Sequence, residues 1–288
     1  MTPPPAADVA ATVPTGQGPC AIAEFGGKVW VTNFGIGTLT SIDPTTNEVV
    51  DEVDIGVNPC AIAASEDALW IGVLGEGDIV RFDPETLEVT DRLELNGQVW
   101  DVQFGHGSIW VSVRNTNELL RIDPDTKEIV ERWATASQPG DVVVTPTEVW
   151  VAAMLGIVNR VDVETNEALP DLEFAGDPSW FAVSDDRSRV VLTLSNQGQA
   201  IVLDTATAEA VITLTVPARP RDPGTVGGKF CVTSEATNSV TIIDPVTGQI
   251  EGAFTLSDAR SIWSAEGLAG TGWVLDFGAN LAIRIDSF

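Results

Sequence analysis

Asp101, Asp141 and Asp222 are the residues of this chain best suited to chemistry. Each follows a loop-like stretch, such as Gln138-Pro139-Gly140 or Arg219-Pro220-Arg221, and stands near the start of an expected strand. Brought together, three carboxylates repel one another unless a cation, an arginine or protonation relieves them. A hard cation such as calcium or magnesium takes carboxylate and amide oxygens, so the trio is a candidate metal site. Asn33, Asn196 or Asp276 would complete its shell. The alternative is structural: each aspartate caps neighbouring amides, and water fills the space between them. Arg219, Arg221 and Arg260 fall in loops that enter an innermost strand and Arg114 in another loop expected on the same face, and guanidinium forks suit a carboxylate or phosphate on a ligand. The rival role for them is pairing with Asp222, Glu235, Asp258 or Asp276. Trp100 and Trp180 supply aromatic walls of the kind that line small-molecule sites, whereas Trp263 reads as core.

Whether these residues meet depends on the elements that carry them. Seven times an apolar doublet runs into an aspartate and a turn, at Asp43, Asp83, Asp123, Asp162, Asp204, Asp244 and Asp286. A period of roughly forty residues marks a repeat architecture. Aligned on these aspartates, Trp30, Trp70, Trp110, Trp150, Val191, Cys231 and Trp273 share one position inside a β-branched stretch. This ring reads as packing between repeats, with Cys231 a buried, inert thiol. Four strands fit each repeat; in the second they are expected at 60–64, 68–73, 78–82 and 88–95, with Gly and Asp-Pro turns between them. Asp-Pro-x-Thr is read as turn chemistry rather than as a metal site. The fold class is therefore all-β: a seven-bladed β-propeller of four-stranded antiparallel blades. The last repeat stops after its third strand, so the segment around Asp8–Val13 is expected to complete the last blade and remove two open edges. Residues 1–7 read as a Pro-rich flexible tail and 8–288 as one propeller.

On this alignment the start of each innermost strand forms rings around the axis. The first reads Cys20, Cys60, Trp100, Gly140, Ser179, Arg221, Ser261. The second reads Ala21, Ala61, Asp101, Asp141, Trp180, Asp222, Ile262, and an apolar third ends at Trp263. Blades one and two give a plain Cys-Ala-Ile, and the later blades depart from it. Cys20 and Cys60 share a register; a disulfide needs Cα atoms within about 7 Å, a spacing neighbouring inner strands need not provide, so their pairing stays open.

A net charge of −27 keeps such a surface soluble and opposes nucleic acid and anionic membranes as partners. No apolar run is long enough to span a bilayer, so no membrane insertion is expected, and a monomer is. A Pro-rich start before a folded repeat suits a chain whose export segment has been removed, which points to an extracellular, periplasmic or envelope-attached location.

Trp30-Val31-Thr32-Asn33 with Leu39-Thr40-Ser41-Ile42-Asp43, and Cys231-Val232-Thr233-Ser234 with Val240-Thr241-Ile242-Ile243-Asp244, resemble the repeat of the YVTN family of seven-bladed propellers. Gly56-Val57-Asn58-Pro59-Cys60-Ala61-Ile62 is similar to the approach to the inner strand in streptogramin (virginiamycin B) lyases. That resemblance implies magnesium, histidine and glutamate near the axis. The one histidine, His106, instead falls in the turn Gly105-His106-Gly107, so lyase residues do not carry over. The first expectation is a rigid acidic propeller that binds a small molecule or peptide at the mouth formed by the loops between strands D and A and between B and C. The alternatives are a metal-assisted lactonase-like hydrolase or lyase at that mouth, and a structural domain of an envelope protein.

Overall fold

In blade two, strand B (Leu69–Val73) is buried at every position, whereas strand D (Glu88–Glu94) alternates between exposed and half-buried residues. That contrast dictates the architecture. A continuous apolar strand must be covered on both faces, while an alternating one lies at an edge. The computed structural model describes residues 4–286 and satisfies both demands with seven four-stranded antiparallel sheets arranged around an axis. Among the described residues no helix forms. Strands in each blade run A, B, C, D from the axis outward; in blade two, A is Pro59–Ala64 and C is Asp78–Asp83. The expected boundaries hold to within a residue or two.

The core is divided rather than central. Seven hydrophobic clusters occur, and each joins residues of two neighbouring blades. The ring of Trp30, Trp70, Trp110, Trp150, Val191, Cys231 and Trp273 is almost fully buried inside them. Trp30 meets Phe82 of the next blade edge-on, with centroids 5.5 Å apart. Burial pushes the Cys231 thiol up to about 12, as an inert core thiol requires.

Outside the core, the repeated aspartate builds the turn between strands C and D. Asp43 Oδ1 accepts the Thr45 amide at 2.7 Å and the Thr46 amide at 3.4 Å, and Asp83, Asp123, Asp162, Asp204 and Asp244 do the same in their blades. These bonds favour the ionised carboxylate and, behind the Lys229 ammonium at Asp244 and the Thr45 hydroxyl at Asp43, hold its pKa below the ordinary value.

Closure follows the expected route. Val9–Pro14 pairs antiparallel with Leu281–Ile285 as the outermost strand of blade seven. Innermost strands touch in sequence order, and Ile262–Leu268 of blade seven returns to Pro19–Phe25 of blade one. Part of the expected tail at 1–7 lies outside the described residues. The remainder is tied down: Ala7 N donates to Thr255 O at 2.9 Å and Thr255 N to Pro5 O at 2.8 Å.

Candidate functional site

Strand A is not regular where it meets the axis. In blade one Pro19 faces Asn33 and Ile22 faces Val31, so Cys20 and Ala21 together stand opposite Thr32. Blades two, three, five and seven carry the same irregularity. A bulge of this kind re-aims side chains and frees backbone groups. Here the freed amide of Ala21 donates to Thr32 Oγ1, and that hydroxyl donates to Cys60 O of the next blade at 2.8 Å. Ser112 repeats the pattern between Asp101 N and Gly140 O, and Thr233 Oγ1 donates to Trp263 O. The bulge brings two successive residues of an inner strand to one space. Members of both rings foreseen from the sequence therefore line a single cavity, though Gly140, Ser179, Ser261 and Ile262 do not.

That cavity has a volume of about 270 Å³ and opens at the D–A and B–C loops. Trp100, Trp180, Trp263, Phe34 and Phe277 form its walls together with the Cys20–Cys60 disulfide, and Asp101, Asp141, Asp222 and Arg221 supply its polar groups. The disulfide resolves what the sequence left open, with Cα atoms 5.1 Å apart. Trp263 is a correction. Ile262 faces Asp276 and Ala265 faces Val274, so Trp263, not Ser261, occupies the position of Cys20, and Ser264 that of Ala21. Two extra residues before this strand shift its register. Trp263 stacks on Phe277 at 4.3 Å and 14° and belongs to the wall, not the core.

The three aspartates converge, each with different partners. Asp101 accepts from its neighbour Val102 N at 2.8 Å and, across the blade boundary, from Val142 N at 2.9 Å. Asp141 accepts from Phe181 N of the following blade at 2.6 Å and shares a hydrogen bond with Asp101. These two staple blades three, four and five, as the structural alternative required. Asp222 has no hydrogen-bond partner for its carboxyl among the described residues. Burial first, and then the charges of Asp101 and Asp222, push Asp141 well above the usual carboxylate range. Asp222 is also raised well above it, by burial and then by Glu266 and Asp101. Asp101 is raised by burial, against the pull of its hydrogen bonds.

Glu266 is a further member, pushed up to about 8 by burial. It faces Trp273 across its sheet, where the other blades place Ala23, Ala63, Gln103, Val143, Ala182 and Gly224. An acid in that mostly apolar ring is a legible signal once the two-residue shift is known. Ser264, beside Asp222 on the adjoining strand, has a buried Oγ without a partner.

No group of three or more His, Cys, Asp or Glu side chains among the described residues is arranged to hold a metal ion. Of the residues expected to complete a metal shell, Asp276 is engaged through its carboxyl oxygens and the two asparagines through their amide nitrogens, with Asn33 Oδ1 buried and without a partner. Asp276 accepts the amides of Arg260, Ser261, Gly278 and Ala279, Asn33 donates to Thr38 and Thr40, and Asn196 donates to Asp177.

The arginines divide. Arg221 sits between Trp180 and Trp263, 5.2 and 5.1 Å from their centroids, and its Nε donates to Glu235 at 2.7 Å. Arg219 is exposed and pairs with the same Glu235 at 2.9 Å. Arg260 is exposed, away from the cavity lining. Arg114 lies flat on Trp100, 3.2 Å from its centroid, with a buried Nε that has no partner. His106 sits on the exposed A–B turn at the opposite face, its Nε2 2.9 Å from Thr145 O.

No known protein family matches this chain, and no curated protein does. The YVTN and lyase resemblances therefore gain no family match, while the fold they imply is the one observed. Among solved structures, the β-propeller domain of Myceliophteria thermophila Cps50 (Swd1) superposes with a TM-score of 0.81 at 10% identity, over 98% of this chain and 100% of that one. Kuenenia stuttgartiensis hydrazine synthase gives 0.81 at 14% identity, over 98% and 97%. At such identities the likeness is one of fold.

Proposed function

We propose that this propeller is a binding protein that takes a small organic molecule, or a side chain of a peptide, into the mouth of its central channel. One observation carries the reading: residues that break the repeat gather around one cavity, and five aromatic side chains stand in its walls. Aromatic walls with a few convergent polar groups describe a ligand site. The cavity is also stiff, since a disulfide, two aspartate staples and the Arg221–Glu235 pair fix its sides. Pre-set walls reduce the ordering cost of binding. The Cys20–Cys60 disulfide favours an oxidising compartment, in keeping with an extracellular or periplasmic location. The YVTN-like phrases fit the same reading.

The test is a small-molecule screen read by thermal shift and tryptophan fluorescence, repeated on Trp180→Ala and Trp263→Ala. Hits should lose at least tenfold in affinity in both variants while the circular dichroism stays unchanged. Hits indifferent to both substitutions would place the site elsewhere. A hydrolase or lyase at the same mouth draws on a single observation: Asp222 faces the cavity with a proton-holding carboxyl and no partner, as a general acid would. Turnover of a lactone or ester, abolished in Asp222→Asn, would favour that second reading.

A further inference from the structure

The walls leave a demand for positive charge unmet around their carboxyl groups. Asp101, Asp141 and Asp222 line the cavity, and Glu266 lies against Asp222, yet none of the four forms an ion pair among the described residues. Among the described residues Arg221 is the one cation in the lining, and it pairs with Glu235, which it shares with Arg219, rather than with any of these four acids. Asp101 and Asp141 have structural work capping amides of the next blade, but Asp222 has none. Beside it stands the buried Ser264 hydroxyl, also without a partner. Buried polar groups in native proteins are normally satisfied; Ser264 Oγ is a buried orphan, and beside it Asp222 turns an unpaired carboxyl to the cavity.

Resting on the small-molecule reading above, we propose that the cavity binds an organic ammonium ion, an amine carried on a flat apolar body, with Asp222 as its counter-charge. The body lies among Trp100, Trp180, Trp263 and Phe277, and the ammonium points at the Asp222 carboxylate. Aromatic faces attract such a cation through their quadrupoles, most strongly when water is excluded. A bare calcium ion, by contrast, needs six to eight oxygens, which these apolar walls do not offer. The raised pKa values of Asp222, Asp141 and Glu266 agree with this: the acids keep their protons because no cation is present to stabilise the ionised form. The overall charge of −27 would draw a cation toward the channel.

The assay compares three probes of nearly equal shape on the full chain by calorimetry and tryptophan fluorescence: phenethylammonium, 2-phenylethanol and 3-phenylpropionate. Phenethylammonium should bind at least tenfold tighter than either, and Asp222→Asn should erase most of that preference while leaving the alcohol unaffected. Binding should also release protons, because the ammonium drives ionisation of Asp222. If the Asn variant does not fold, the ranking of the probes on the native chain still decides. Tightest binding of the carboxylate would make Arg114 the reader of charge and overturn the proposal, as would equal binding of alcohol and ammonium; the small-molecule reading would survive either result. Failure of all three probes, with no hit in the wider screen, would overturn both.

Discussion

At the scale of residues, the axial acids couple stability to pH, and the sign follows from which state holds the proton. Glu266 stands at about 8, against 4.5 for an ordinary glutamate. Between those values the native chain keeps a proton that the unfolded chain has lost. The stability this contributes is complete below about 4.5 and disappears as pH rises through about 8. Asp141 and Asp222 are raised too and act in the same direction. The turn aspartates such as Asp43 and Asp83 are depressed and act oppositely, so their contribution is lost on the acid side. Glu266→Gln separates the two sets. Denaturant unfolding should show the variant close to the native chain at acid pH. Above pH 8 it should be more stable by about 2 kcal/mol or more, since each unit of displaced pKa is worth about 1.4 kcal/mol. Parallel stability profiles for the two proteins across this range would show that Glu266 is not held in its protonated form.

At the scale of elements, the disulfide joins the inner strands of blades one and two across a separation of 40 residues. Cross-links of that span restrict the unfolded chain by roughly 3–4 kcal/mol in the chain-entropy account. Replacing Cys20 and Cys60 together by alanine should lower the unfolding midpoint accordingly. Reductant should do the same to the native chain and nothing to the double variant; an unchanged midpoint would mean the bond is not formed in solution. This element also marks how far the sequence could be followed. Strand order, the Trp ring, the Asp turns and the closing strand were legible because each repeats at a fixed offset. The aspartate trio was legible as a set of exceptions in one ring. Trp263 and Glu266 were not, because the turn at Ser257 and Asp258 lengthens the approach to the last inner strand. Counting forward from Asp244 then misplaces both side chains by two positions, whereas counting back from Asp286 finds them. The roles of the four arginines were legible only in part: pairing with Glu235 was among the readings, but only three dimensions show that this residue of a B–C loop is shared by Arg219 and Arg221.

At the scale of the whole molecule, one short strand decides whether seven similar blades become a ring. Leu281–Ile285 would be an edge without Val9–Pro14 beside it, and its Ala282, Ile283 and Ile285 side chains are buried. Val13, itself buried, packs in the cluster that joins blades seven and one. Arg284 reaches across the same boundary to Pro44 O and Asn47 Oδ1. The cavity needs this boundary closed, for Phe277 and Trp263 come from blade seven while Phe34 and Cys20 come from blade one, and Phe34 and Phe277 lie 6.5 Å apart. Deleting residues 1–14 should therefore affect the site before it affects most of the sheet. Far-ultraviolet circular dichroism should retain most of its β signal, while tryptophan fluorescence shifts to the red and the exposed strand promotes self-association. A peptide covering residues 5–16, added in excess, should restore the native emission by adding the missing strand. If the truncated chain remains monomeric with native fluorescence and an unchanged unfolding midpoint, the ring is held shut by contacts between inner strands alone, and the closing strand contributes nothing to the geometry of the cavity.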